Sequence, residues 1–140
     1  MDLSYFAGFF DGEGCVRLKR SGNYIYSVVI VVNTNLEVLI DFKEKFGGNI
    51  QPRKRKVSYH KKIYAWEIYS KASVPFLEAI LPYLIVKREQ VIIVLKMERS
   101  LRKSGNKGLS KTLPKKEIGR REKVLEKMYL LNQRGSNGPS

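Results

Sequence analysis

Leu3-Ser4-Tyr5-Phe6-Ala7-Gly8-Phe9-Phe10-Asp11-Gly12-Glu13-Gly14, close to the start of the chain, is the stretch on which the fold turns. Taken as a helix, it sets Ser4, Gly8 and Gly12 on one face at i, i+4 and i+8, while Tyr5, Phe6, Phe9 and Phe10 take the other directions. A glycine inside a helix costs about 1 kcal/mol relative to alanine, so a pair of them asks for a reason. The usual reason is close backbone approach, because a residue without Cβ lets a second helix come nearer. The stretch then ends in two acids separated by glycine. A helix C-terminus already carries partial negative charge, so carboxylates there are disfavoured unless a cation compensates. A surface helix ending in a glycine cap accounts for Gly12 or Gly14, but not for the small-residue stripe together with the acids. A metal site accounts for the acids.

Phe6-Ala7-Gly8-Phe9-Phe10-Asp11-Gly12-Glu13-Gly14 resembles the signature of the LAGLIDADG homing endonucleases, in a variant ending DGEG. The order of elements downstream extends the likeness over residues 1–103, and the chain carries one copy of the motif. For a single-motif chain the resemblance implies a homodimer, with Ser4, Gly8 and Gly12 at the contact between paired motif helices. It also implies metal-dependent hydrolysis of DNA phosphodiesters. Glu13 would be the catalytic metal ligand and the Gly12 carbonyl its neighbour, with Mg²⁺ or another hard cation such as Mn²⁺ as cofactor; Ca²⁺ would bind without supporting cleavage. Glu13 stands where Asp is more often found, one methylene longer. Lys87, closing Pro82-Tyr83-Leu84-Ile85-Val86-Lys87, resembles the lysine beside the family's cleavage site. Asn33 aligns with a polar, water-positioning residue that is usually Gln. Asp11 reads as a residue that caps or structures the motif.

Composition agrees with a polyanionic partner. The 140 residues include 27 Lys and Arg against 13 Asp and Glu, a net charge of +14. Such an excess points to nucleic acid or an anionic membrane surface. No apolar run approaches the ~20 residues needed to span a bilayer, so membrane insertion is not expected. The N-terminus lacks the pattern of a signal peptide. The single cysteine, Cys15, excludes an intramolecular disulfide and fits a reducing compartment. An intracellular location is therefore expected, in an organelle or in archaeal or bacterial cytoplasm. One Cys and one His cannot build a zinc finger; a metal here must be oxygen-ligated.

Along the chain, Cys15 to Arg20 alternates, with Val16 and Leu18 on one side and Cys15, Arg17 and Lys19 on the other. Ser21-Gly22-Asn23 is a turn, and Tyr24 to Asn33 is a β-branched and aromatic strand whose two faces are equally apolar. Asn35 is placed to cap a helix from Leu36 to Phe46, ended by Gly47-Gly48. Two strands follow, Asn49 to Arg55 and Lys61 to Tyr69, joined by a basic loop containing His60, which is assigned no role. Ser73 is expected to cap a helix through Leu81, and Lys87 to Arg102 forms another. Residues 104–113 read as a basic flexible loop. Residues 114–133 read as a C-terminal helix with Ile118, Leu125 and Met128 inward, and 134–140 as a disordered tail.

The expected fold is α+β: an αββαββα unit whose four-stranded antiparallel sheet is covered on one face by helices, plus a C-terminal helix. The open face is expected to collect Arg17, Lys19, Arg53, Arg55, Lys62 and Tyr64, with Asn23 and Tyr26 beside them, and to lie along double-stranded DNA. Arg53 and Arg55 are the candidates for bidentate guanine contacts; the remaining charges steer towards phosphates. Two other functions fit the same fold. One is an RNA-binding intron maturase, the other a non-cleaving DNA-binding regulator.

Overall fold

The computed structural model describes residues 2–22, 24–54, 61–103 and 115–136. Helix α1 (Leu3–Glu13) leads into a hairpin of β1 (Gly14–Ser21) and β2 (Tyr24–Asn33). Helix α2 (Leu36–Phe46) connects it to a second hairpin, β3 (Asn49–Arg53) and β4 (Ile63–Tyr69), followed by α3 (Ser70–Ile80). A 3-10 turn (Leu81–Tyr83) separates α3 from α4 (Arg88–Lys103), and α5 is Lys115–Ser136. The expected αββαββα order is present, and the strands form one antiparallel sheet in the order β1-β2-β4-β3. Among the described residues no helix is long and apolar enough to cross a membrane.

Pairing across the sheet settles the faces that alternation along β2 left open. Val16 pairs with Val29, Val29 with Ile68 and Val31 with Trp66, and all five are buried. Directly paired residues share a face, so these side chains point to the helices. Tyr24, Tyr26, Val28 and Ile30 point the other way. Trp66 sits in an aromatic cluster: ring centroids lie 5.0 Å from Phe42 and 5.1 Å from Phe76, and Phe6 lies 4.8 Å from Phe42. These tilted and edge-on pairs pack α1, α2 and α3 on the sheet. The Gly47-Gly48 end of α2 belongs to the same cluster. Both residues have positive φ, and a Cβ on Gly48 would stand 2.6 Å from the Glu67 carbonyl oxygen. The Gly47 carbonyl accepts the Trp66 indole N–H at 2.7 Å.

Three expectations need correction. Ser73 does not cap α3. The helix begins at Ser70, whose φ of 50° turns the chain off β4, and the buried Ser73 hydroxyl donates back to the Ser70 carbonyl at 2.7 Å. Ser73 also meets Ser27, whose hydroxyl donates to the buried Glu98 at 2.9 Å, tying β2, α3 and α4 together. Tyr64 is not on the open face. It pairs with Asn33, shares the inner face with Trp66 and packs against the core. The C-terminal helix runs to Ser136 rather than stopping at 133. There the Asn132 amide donates to the Val16 carbonyl at 3.1 Å, so α5 covers the edge strand that would otherwise offer unpaired backbone groups. Met128 is buried and Leu125 half-buried, both as expected. The 104–113 segment, residues 137–140, Asn23, Arg55, His60 and the Ile118 side chain lie outside the described residues.

Candidate active site and nucleic-acid interface

Helix α1 starts on Asp2, whose carboxylate accepts the Tyr5 backbone N–H at 3.0 Å and the Ser4 hydroxyl at 2.5 Å. The Ser4 bond, then the Tyr5 bond, hold this carboxyl below the usual carboxylate range. Phe6, Ala7 and Phe10 bury one side of the helix. Ser4, Gly8 and Gly12 stand exposed on the other, beside the 46 % exposed Tyr5. A Cβ added at Gly8 or Gly12 would meet nothing within 4 Å. Packing within one chain therefore does not require glycine at either position.

The C-terminal end of α1 divides its two acids between two tasks. The Asp11 carboxylate accepts the backbone N–H groups of Ile85 at 2.7 Å and Lys87 at 3.0 Å. The helix has no basic residue in its last turn. Its compensating charge comes from Lys87, whose ammonium donates to the Asp11 carbonyl at 2.5 Å. Asp11 is thus a structural clasp, and Lys87 is a half-buried residue tied to the motif rather than a solvated helix start. Glu13 is exposed and makes no hydrogen bond or ion pair with any described residue.

Of the oxygens at this end, the Phe10 carbonyl takes the Gly14 N–H and the Asp11 carbonyl takes Lys87. The Gly12 carbonyl follows in the same unpaired last turn. Among the described residues, no group of three or more His, Cys, Asp or Glu side chains is close enough to hold a metal. The donors that are present are a carboxylate and carbonyls, which suit a hard cation. One chain supplies only part of such a shell.

Asn33 sits at the end of β2, two residues beyond Val31, which pairs with Gly14 directly after α1, and its carboxamide oxygen accepts the Asn35 N–H at 2.8 Å in the turn into α2. A cavity of about 710 Å³ does adjoin the end of α1. Asp11, Gly12 and Lys87 line it together with Arg17, Gln90 and Asn132. Gln90 and Asn132 were not singled out from the sequence; Gln90, three residues beyond Lys87 on the same helical face, was the findable one.

On the open face of the sheet, Arg17 and Lys19 are exposed and pair with Val28 and Tyr26. Arg53 lies on the same face, opposite Ile63. Lys62, expected on this face, is exposed but lies outside β4, and its alternation set with Tyr64 and Trp66 is the one that faces the helices. The centre of this face is not basic. Val28 and Ala65 are buried there, and Glu67, only 9 % exposed, accepts Arg53 at 3.0 Å and the Tyr69 hydroxyl.

The model of a LAGLIDADG-like domain matches residues 1–96. The chain belongs to that LAGLIDADG-like family. Its fold is that of solved LAGLIDADG homing endonucleases. The structure of I-CvuI in complex with its target, with calcium present, superposes with a TM-score of 0.67 at 21 % identity, covering 92 % of this chain and 80 % of that one. The archaeal intron-encoded I-Vdi141I, complexed with DNA, gives 0.59 at 18 % identity, covering 91 % and 96 %. For I-SmaMI bound to cleaved DNA the values are 0.58 and 21 %, covering 94 % of this chain but 42 % of that one. A curated relative, an uncharacterized protein of Methanocaldococcus jannaschii, is 42 % identical over 48 residues, which is 32 % of this LAGLIDADG chain and 18 % of the relative's length.

Proposed function

We propose that this chain is a site-specific, metal-dependent double-strand DNA endonuclease of the homing type, acting as a homodimer on a long pseudo-palindromic target. The observation that carries the reading is Glu13: an exposed carboxylate without a partner among the described residues, at a helix end where Asp11 is already engaged. The solved relatives bound to DNA support a duplex partner, and those crystallised with calcium or magnesium support a divalent cation.

Dimerisation through α1 is supported by the exposed stripe. Gly8 and Gly12 each cost helix stability of about 1 kcal/mol that one chain does not need, since a Cβ at either meets nothing. A second α1 crossing at Ser4, Gly8 and Gly12 makes use of that space. It also places two Glu13 carboxylates together, completing a donor set that one chain supplies only in part. The 42 % coverage of I-SmaMI agrees, leaving room in that chain for a second unit of similar size.

When bound there, a cation such as Mg²⁺ neutralises phosphate charge and lowers the pKa of water. The chain's own groups do the rest. Glu13 and the Gly12 carbonyl present oxygens at the helix end. Lys87, held at the same end by its bond to the Asp11 carbonyl, presents positive charge to a phosphate there. Arg17 and Lys19 hold the backbone of the duplex against the sheet.

The test is cleavage of a DNA library by purified protein, with Mg²⁺ and with EDTA. Discrete cuts at long, roughly palindromic sites, only with metal, are expected. Tight duplex binding without cutting would point instead to a regulator, and preference for structured RNA to a maturase.

A further inference from the structure

An acid on the DNA-facing side of a chain with net charge +14 runs against the attraction for phosphate, and a mostly buried one also carries a desolvation cost. Glu67 is that acid. Asn49 pairs with Glu67, Gln51 with Ala65 and Arg53 with Ile63, so Arg53 and Glu67 lie on one face with Ala65 between them. To bring its Nη2 within 3.0 Å of Glu67 Oε1, the Arg53 side chain must run along the strands rather than out into solvent. Ala65 is small and fully buried, although it faces the open side. The second carboxylate oxygen of Glu67 takes the Tyr69 hydroxyl from the same face. Both oxygens are therefore engaged, one by Arg53 and one by Tyr69.

We infer that Glu67, steadied by Tyr69, is a positioning residue that fixes the Arg53 guanidinium so that it reads one guanine in each half of the target. The inference rests on the DNA-binding reading above. Arg53 has five N–H donors, and this contact uses one. The side chain stays half exposed, so a planar pair of donors remains for guanine O6 and N7. Fixing a long side chain before DNA arrives removes that ordering cost from binding. It also withholds the guanidinium from phosphates, which carry no sequence information. Glu67 thus gives up general affinity for selectivity.

Selection of preferred sites from a randomised duplex library tests this, comparing wild type with Glu67→Gln, Tyr69→Phe, Arg53→Ala and the Arg53→Ala/Glu67→Gln pair. Arg53→Ala identifies the position that Arg53 reads. Glu67→Gln is expected to relax preference there by roughly 5- to 100-fold and to leave other positions unchanged. The double variant should lose no more than Arg53→Ala alone. On random duplex, Glu67→Gln should bind more tightly than wild type at low salt, with a log–log salt slope steeper by about 0.9 per subunit. Damage to the sheet would instead weaken binding to every sequence. An unchanged preference in Glu67→Gln, a uniform loss at all positions, or relaxation at a position other than Arg53's would each overturn the inference. If Glu67→Gln fails to fold, Tyr69→Phe, at a 40 % exposed site, decides it by the same criterion with a smaller effect. A wild type with no base preference at all would remove the DNA-binding reading itself. A selective wild type matched by its Glu67→Gln variant would remove only the role of Glu67.

Discussion

Asp11 and Lys87, 76 residues apart, are joined by two hydrogen bonds. The Lys87 backbone N–H reaches the Asp11 carboxylate at 3.0 Å, and its ammonium reaches the Asp11 carbonyl at 2.5 Å. With the Ile85 N–H on the other carboxylate oxygen, the end of α1 is clasped to the segment leading into α4. The residue following the clasp on one side is Gly12, then Glu13; on the other side the clasp is Lys87 itself. The same acid that holds the helix therefore sets the spacing of the two groups proposed for catalysis.

Asp11→Asn keeps the shape but replaces one acceptor oxygen with an NH₂ group facing a backbone N–H. Leaving that N–H unsatisfied costs about 1–2 kcal/mol. The unfolding midpoint in urea should fall accordingly, and single-turnover cleavage should fall further than DNA binding does. An unchanged midpoint would mean that the clasp contributes nothing in solution.

Glu13→Gln removes the charge from an exposed carboxylate that no described residue uses. Stability should stay within about 0.5 kcal/mol of wild type, as for surface substitutions generally. Target binding by gel shift should survive and metal-dependent cutting should disappear. Cleavage persisting in this variant would remove Glu13 from the metal site.

Much of the fold was legible because its signals are local. Asn35 accepts the Val38 N–H at 3.3 Å and Gly47 stops the other end, so α2 was legible from Leu36 to Phe46. The Asp2 cap was not singled out from the sequence, although an Asp directly before an apolar helical run is a local signal for one. The faces of β4 were harder. Period-two alternation sorts Lys62, Tyr64 and Trp66 into one set but does not say which set meets the helices. Lys62 suggested solvent, whereas pairing of Trp66 with Val31 turns that set inward. This is why Tyr64 was misplaced and Glu67 overlooked. The Asp11–Lys87 clasp and the contact of Asn132 with Val16 join residues too far apart in sequence for any local pattern to reveal them.

At Gly8 the monomer and the proposed dimer make opposite demands. Gly8→Ala places a methyl group in open space, so the isolated chain should gain about 1 kcal/mol of stability while self-association weakens. Gly8→Leu should give a folded monomer by light scattering. A dimer persisting in Gly8→Leu would exclude α1 as the contact. Gly14→Ala is the internal contrast: its Cβ would press on the Phe10 ring and lie 2.7 Å from the Phe10 carbonyl oxygen, so stability should drop whatever the oligomeric state.

Tyr69 reports on the open face without any DNA. Its phenol is pushed up to about 12 from 10.0, first by donating to the Glu67 carboxylate, then by burial and by the charge on Glu67. The fold therefore favours the neutral phenol. That contribution to stability is complete below pH 10 and is lost as pH rises towards 12. Wild type should lose more stability than Tyr69→Phe across this window. The difference between their phenolate absorbance titrations should isolate one group ionising near 12 among the chain's eight tyrosines. In Glu67→Gln that group should return towards 10, because the acceptor charge is gone while the ring's surroundings remain. A Tyr69 that titrates near 10 in wild type would show that its bond to Glu67 is absent in solution, and Arg53 would then lean on a carboxylate that nothing steadies.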